Sequence, residues 1–224
     1  MIETAVDGVE LNNIELNNIE LNTVELDMLC EAFNIGAHKS AKALSDLTSH
    51  PVTLAIPKVK EIDVTSLYSA LTLNVAEDIV CVRLPMSDSI EGHAELVLIQ
   101  HHADKLASLC IPSNIPEEML QEARQGMLAE IGNILLNACF GTVANMLNFE
   151  VDLSVPTLHY FKKNSMDCGC GPETRALAIN TCMTIEGADV EGYIVIYVGN
   201  ESIVRIKHYL QEFMVNAGIN VSAT

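Results

Sequence analysis

The apolar positions of the chain first recur at helical spacing and then fall into short runs, so the pattern predicts a helix followed by strands. Residues 25–47 form one apolar helix face, and Pro51 ends it. Pro57 interrupts the next run, which places that strand near a sheet edge or at a strand end. The predicted elements of this half are a helix at 25–47, strands at 52–59, 79–84 and 94–99, and shorter helices at 63–71 and 103–110.

The second half of the chain repeats this order of elements. A long helix is predicted from Pro116 to about 147, because proline suits a first helical turn and Glu117 and Glu118 lie where the helix dipole favours acids. The remaining elements are strands at 151–161, 176–185 and 193–198, a loop at 164–173 and a closing helix at 202–215. Each half is then a long helix, three strands and a shorter helix, and hairpin-like connections favour antiparallel pairing in an α+β fold.

A short polar motif occurs once on each long helix. It consists of a glutamate, an asparagine three positions later and, after 22 further residues, a proline. The copies are Glu31, Asn34 and Pro57, and Glu130, Asn133 and Pro156, offset by 99 residues without a gap. The offset predicts a single domain over 25–224 made of two repeats, about 25–115 and 116–224, each with the same polar surface.

Residues 1–24 lie outside this repeat. Within 9–28 leucine recurs every five positions, which keeps neither one helical face nor alternate strand positions apolar. Two interpretations stay open: a short pentapeptide-repeat coil or partner-binding arm, and a low-complexity extension. The extension is favoured, because so few repeats bury little apolar surface on their own.

Composition and charge narrow the class of protein. The chain has 12 basic and 30 acidic residues and a net charge of −18, which repels phosphate backbones and argues against a nucleic-acid partner. A phosphoprotein partner stays open, since a local patch can dock it. No apolar run approaches the ~20 residues that span a bilayer. The N-terminus also lacks the features of a signal peptide, so a soluble cytoplasmic protein without a membrane partner is expected.

The motif residues belong to a polar stripe on each long helix. Since successive helical residues are rotated by about 100°, the stripe covers roughly 60° of the helix circumference. The stripes are Asp27, Glu31, Asn34 and His38, and Gly126, Glu130, Asn133 and Asn137. A glutamate pairs with a lysine or accepts a proton, and an asparagine amide holds a water in a chosen direction. Such positioning is most of a protein's work in phosphoryl transfer. The sequence shows no obvious site for Mg²⁺ or phosphate, so the substrate would supply both.

A single Glu-x-x-Asn spacing is more often a solvated helix face, because short motifs match by chance. Two copies with identical spacing to a proline in a strand-like segment reverse that balance. A second candidate, the loop with Cys168 and Cys170, is a weak metal or redox signal because no second cysteine pair is nearby. A flexible insertion with turn glycines is favoured there.

The two long helices, at about 25–45 and 127–147, resemble the signature helices of the CheC/CheX/FliY chemotaxis phosphatases. The family pattern is Asp or Ser, three residues, Glu, two residues, Asn, 22 residues and Pro. The resemblance covers about residues 25–215. Two motif copies without an appended flagellar-switch domain are typical of CheC-like members.

The resemblance implies two long helices lying across one continuous antiparallel sheet with pseudo-twofold symmetry. It implies that the chain dephosphorylates a CheY-type response regulator. By position, Asn34 and Asn133 would orient the attacking water, while Glu31 and Glu130 would dock the regulator, and Asp27 fits the leading position of the motif. The Mg²⁺ would belong to the regulator, with no cofactor bound by this chain.

The second copy departs from the family pattern at one position. Gly126 stands where Asp or Ser is expected, and a glycine inside a helix costs up to about 1 kcal/mol relative to alanine. The second site is therefore expected to be the weaker one. A binding module is the alternative function: a non-catalytic adaptor for a phosphorylated regulator or for a CheD-like deamidase. Both a monomer and a homodimer stay open.

Overall fold

The computed structural model describes residues 20–64, 67, 77–112, 114–162, 169–171, 174–185 and 188–218. The predicted pentapeptide extension, the short helix at 63–71 and the loop around Cys168 fall largely outside these residues. The helices are α1 Thr23–Thr48, α2 Gln100–Cys110, α3 Leu120–Leu147 and α4 Asn200–Asn216. The strands are β1 Val52–Ala55, β2 Val59–Asp63, β3 Ile79–Asp88, β4 Gly92–Ile99, β5 Val151–Leu153, β6 Thr157–Phe161, β7 Thr174–Ile185 and β8 Ala188–Gly199.

The described strands form one antiparallel sheet in the order β1-β7-β8-β4-β3-β5, with β2 also on β7 and β6 also on β3. Strands β4 and β8 pair at the centre of the sheet. Strands β1 and β2 of the first half pair with β7 of the second, and β5 and β6 of the second half pair with β3 of the first. The order is therefore the same when it is followed from either edge. This arrangement confirms the predicted α+β class with two pseudo-symmetric halves.

Among the residues described, each half has four strands where three were predicted. The predicted strands at 52–59 and 151–161 are each two short strands, with Pro57 in the first gap and Pro156 in the second. Proline has no N–H to give to a strand ladder, so it separates the two pairings. Pro116 likewise does not open the long helix. A 3₁₀ turn at Glu117–Met119 follows it, and α3 begins at Leu120.

The two long helices pack against each other over one face of the sheet. Phe33 of α1 meets Phe140 of α3 edge to face, with ring centroids 5.6 Å apart. A methyl group placed on Gly36 would lie 2.6 Å from Cys139 Cα, so glycine permits this close helix approach. The first helix begins at a capping box between Asn22 and Glu25, which satisfies backbone N–H groups at its N-terminus.

The segment Glu117–Leu147 is long and apolar enough to cross a membrane by length and composition alone. However, 56% of its most apolar stretch is buried inside the protein. The helix packs on α1 and on strands of the sheet. These contacts are those of a core helix.

The other face of the sheet holds a buried polar cluster that the sequence did not predict. Arg83 Nε and Nη2 both lie 2.7 Å from Glu95 Oε1, and the Glu95 side chain is fully buried. The His93 ring stacks on Tyr197 with centroids 4.6 Å apart. Burial, with help from the Arg83 and His159 charges, lowers the pKa of His93 to about 4. His93 is therefore neutral at physiological pH.

Candidate functional site

The first polar stripe lies on the outer side of α1. Asp27, Glu31 and His38 are exposed, while Asn34 is half-buried. In the described part of the chain, the Asp27 and Glu31 carboxylates take part in no hydrogen bond or ion pair. The acids of this stripe are thus available to a partner molecule.

The Asn34 side chain is turned towards the chain segment between β1 and β2. Its Nδ2 donates to Ile56 O at 2.8 Å, and Ile56 N–H donates to its Oδ1 at 2.9 Å. The amide therefore binds both backbone polar groups of Ile56, as a neighbouring strand would. Ile56 is only 2% exposed, so these backbone groups need a partner inside the protein.

This contact gives the motif spacing a structural explanation. Ile56 is the residue directly before Pro57, where the strand pairing with β7 breaks between Ala55 and Val59. The residue before a proline is held extended, and no sheet ladder serves Ile56 there. Asn34 supplies the missing hydrogen bonds. The sequence signal is the repeated asparagine-to-proline distance, which indicates a repeated polar surface and a family pattern but does not predict this contact.

The thiol of Cys30 also belongs to this contact. Its Sγ donates to Ile56 O at 3.3 Å, and it lies 3.8 Å from Asn34 Nδ2. Burial raises the pKa of the Cys30 thiol, and the charges of Asp27 and Glu31 raise it further. Cys30 is thus protonated at neutral pH and acts as a weak hydrogen-bond donor.

The second stripe, on α3, holds its asparagine differently. Asn133 Oδ1 accepts from Asn137 Nδ2 at 2.7 Å, and the same Nδ2 donates to Asn133 O at 2.8 Å. Within the described ranges, Asn133 Nδ2 has no hydrogen-bond partner. Val155, the counterpart of Ile56, is 81% exposed and makes no hydrogen bond to Asn133. The second amide is thus free of the β5–β6 connection.

The acidic member of the second stripe is also unpaired. Glu130 is exposed, and among the residues the structure describes it has no hydrogen bond or ion pair. The missing acid at Gly126 leaves an opening, because a methyl group placed there would meet nothing within 4 Å. Glycine at this position is therefore not required by packing.

A cleft of about 490 Å³ lies beside the N-terminal end of the first stripe, between α1 and β2. Asp27 lines it, as does Arg175. Arg175 forms ion pairs of 2.9 Å with Glu61, 3.2 Å with Asp63 and 3.5 Å with Glu20. Arg175 is thus already neutralised by the protein's own acids, while Lys58 and Lys60 also line the cleft.

The described residues contain no group of three or more His, Cys, Asp or Glu side chains placed to hold a metal ion. The six cysteines in those residues are distributed over the fold, and Cys168 lies outside them. The favoured interpretation of the Cys168 loop, an insertion with turn glycines, therefore stays a prediction, as does the weaker metal or redox alternative.

Solved structures with the same architecture identify the fold. A solved FliY chain of Thermotoga maritima superimposes with a TM-score of 0.70 at 20% identity, covering 86% of this chain and 98% of that solved chain. The FliM–SpeE complex of H. pylori gives 0.63 at 10% identity, covering 90% of this chain and 100% of the matched solved chain. The FliM middle domain of H. pylori gives 0.58 at 9% identity, covering 86% and 99%. No protein-family model matches the chain.

The chain has the CheC/CheX/FliY fold. The resemblance inferred from the two motif helices is confirmed at the level of fold. Within this fold, the two copies of the motif are not equivalent. One amide is bound to buried backbone and the other is held on its own helix. The identical spacing in the sequence did not predict this difference.

Proposed function

We propose that this chain with the CheC/CheX/FliY fold is a phosphatase for the aspartyl phosphate of a CheY-type response regulator. The observation that carries the proposal is the second stripe. Glu130 and Asn133 lie one turn apart on α3, and within the described residues the carboxylate and the amide N–H are both unpaired. A carboxylate and an amide in that arrangement suit docking and water orientation.

Hydrolysis of an aspartyl phosphate requires little covalent chemistry from the phosphatase itself. An aspartyl phosphate is an acyl phosphate, and water attacks its phosphorus in line with the departing carboxylate. A bond forms between the water oxygen and phosphorus, the bond to the aspartyl oxygen breaks, and a water proton leaves to solvent or phosphate. The products are aspartate and inorganic phosphate. The regulator's own Mg²⁺ would stabilise the phosphoryl charge.

Asn133 supplies positioning in this scheme. An amide has both a donor and an acceptor in one plane, so it can align the water while it contacts a phosphoryl oxygen. Glu130 would pair with a lysine beside the regulator's phosphate. Placing the reactants in a near-attack geometry removes a large part of the free-energy barrier to hydrolysis.

The first stripe is proposed to serve the same partner less directly. Glu31 is exposed and can dock a regulator in the same manner. Asn34 would have to leave both backbone groups of Ile56 before it could orient a water. We therefore expect turnover at the second stripe to exceed turnover at the first, the reverse of the expectation from Gly126.

An adaptor is the second candidate function, and two observations favour it. The Asn34 amide is already bound within the protein, and FliM shares the fold at a TM-score of 0.63 in a complex with SpeE. A further FliM structure is a complex with FliG. On this alternative the stripes would bind a phosphorylated regulator, or a CheD-like deamidase, without accelerating hydrolysis.

The two candidates differ in one experiment. A phosphorylated receiver domain with Mg²⁺ is mixed with the wild-type chain and with Asn34→Ala, Asn133→Ala and the double variant, and its decay is followed. Asn145→Ala is the matched control, because Asn145 is exposed on α3 and, among the residues described, bonds only to Gly141 O of its own helix.

The phosphatase proposal expects faster decay with the wild type and the control, and loss of most of that acceleration with Asn133→Ala. Wild-type binding that leaves the decay rate unchanged would establish the adaptor. Equal acceleration by the wild type and the double variant would exclude both amides from the reaction.

A further inference from the structure

Asn137 lies one helical turn after Asn133 on α3 and is exposed. Its Nδ2 donates to both oxygens of Asn133, to the backbone O at 2.8 Å and to Oδ1 at 2.7 Å. An exposed side chain ordinarily exchanges among rotamers. Two bonds to one neighbour hold both side chains in a single relative arrangement.

These bonds determine the direction in which the Asn133 amide points. Its Oδ1 faces Asn137 along the helix, and its Nδ2 points away from that partner. One lone pair of Oδ1 is occupied, while the second lone pair and the N–H donors stay open to an incoming molecule. A flip of the amide would bring its NH₂ against the NH₂ of Asn137, so only one orientation keeps the bond.

The first stripe provides an internal comparison. His38 takes the place of Asn137, and its Nδ1 lies 2.8 Å from Asn34 O, the backbone oxygen. His38 makes no hydrogen bond to the Asn34 side chain among the described residues. That amide is bound to Ile56 instead. The residue four positions after the motif asparagine therefore distinguishes the two copies.

We propose that Asn137 is the positioning residue of the second stripe, which fixes the Asn133 amide in the orientation that aligns the attacking water. The inference rests on the proposed phosphatase function and adds to it a residue outside the Glu-x-x-Asn motif. Asn137 acts through Asn133 and need not touch the phosphoryl group. Its effect should therefore appear in turnover and not in docking.

The test separates these two quantities in three variants. Asn137→Ala removes the donor, Asn137→Asp keeps the side-chain shape without an N–H, and Asn137→Gln keeps a carboxamide on a longer side chain. Turnover is the decay rate of phosphorylated receiver at saturating chain. Docking is the dissociation constant for receiver held in its beryllofluoride state, and thermal unfolding checks that each variant folds.

Loss of one positioning hydrogen bond is expected to lower turnover about fivefold in Asn137→Ala and Asn137→Asp. The dissociation constant should stay within about twofold of wild type, because a group that acts on orientation alone adds no ground-state binding. Asn137→Gln should recover part of the rate. In an Asn133→Ala background, Asn137→Ala should have no further effect on turnover, as expected for residues that act as a unit.

Each other outcome overturns the inference. Full turnover in Asn137→Ala, with turnover lost in Asn133→Ala, would refute positioning while the proposed function stands. A larger dissociation constant with unchanged turnover at saturating chain would make Asn137 a docking residue. Additive losses in the double variant would show independent roles. If the wild type itself fails to accelerate decay, the proposed function fails and the role of Asn137 fails with it.

Discussion

Replacing Asn34 by alanine tests the most specific contact in the structure. The substitution removes the acceptor of Ile56 N–H and one donor to Ile56 O. Leaving a buried backbone group unpaired costs about 1–3 kcal/mol. Ile56 O keeps the bond from Cys30 Sγ at 3.3 Å, so the loss falls mainly on the N–H. We expect Asn34→Ala to lower the free energy of unfolding by about 2 kcal/mol.

The second copy supplies the matched control for this prediction. Asn133→Ala removes a bond only to the exposed Asn137 on the same helix, and surface changes of this kind stay within about 0.5 kcal/mol. Urea unfolding of the two variants measures the difference, with the slope against urea unchanged. Equal destabilisation of the two variants, or none in Asn34→Ala, would refute the structural role assigned to Asn34.

Three further predictions follow from packing, titration and charge. Gly36→Ala should destabilise the protein by more than about 1 kcal/mol, because the added methyl would lie 2.6 Å from Cys139 Cα. The methyl group added by Gly126→Ala would contact nothing within 4 Å, so this variant should be up to about 1 kcal/mol more stable because alanine has the higher helix propensity. Thermal unfolding compares the stabilities of the two variants. The lowered pKa of His93, about 4, means that the folded protein resists protonating this ring. The contribution of the neutral His93 ring to the free energy of unfolding is complete above the unfolded-state pKa of about 6.5. It decreases by about 3 kcal/mol in all as the pH falls to 4. His93→Phe should flatten the stability curve in that window, and an unchanged curve would contradict the assignment. Glu130→Gln should weaken binding of a beryllofluoride-bound receiver about fivefold or more with little change in stability, since Glu130 is exposed, and unchanged affinity would exclude docking by this carboxylate.

The sequence predicted the fold well where the signal was periodic. The helical face of α1 appeared in the spacing of its apolar residues, and the 99-residue offset that placed α3 matches the symmetric strand order. It was less accurate at prolines. The sequence predicts one strand at 52–59, with Pro57 near a sheet edge or strand end, and one strand at 151–161 that includes Pro156, whereas each proline separates two strands. Strand pairing depends on partners far along the chain, which local spacing does not show.

The candidate site could be predicted in its residues but not in its contacts. Glu31, Asn34, Glu130 and Asn133 were found by repetition. The bond from Asn34 to Ile56 depends on how the β1–β2 connection returns to the helix, a distance that no spacing gives. The acid missing at Gly126 suggests a weaker second site, and this stays a prediction; the Asn133 amide, held by Asn137 and not by buried backbone, supports the opposite proposal made above.

The buried cluster on the second face of the sheet was missed for a related reason. Arg83, His93 and Glu95 lie in two adjacent strands, where they alternate with apolar residues as the exposed positions of a half-buried strand do. From sequence alone a charged residue in a strand is assigned to the solvent. Pairing of Arg83 with Glu95 across the two strands makes burial acceptable, and only the register reveals that pairing.

The most direct test of the central claim is the decay rate of phosphorylated receiver at saturating concentrations of wild-type chain and of Asn133→Ala. The account predicts that the wild type accelerates decay and that the variant's accelerated rate is at least about tenfold lower. A tenfold lower rate is equivalent to about 1.4 kcal/mol of lost transition-state stabilisation. The variant should still bind the beryllofluoride-bound receiver. A variant that binds the receiver and accelerates decay as fast as wild type would contradict the account.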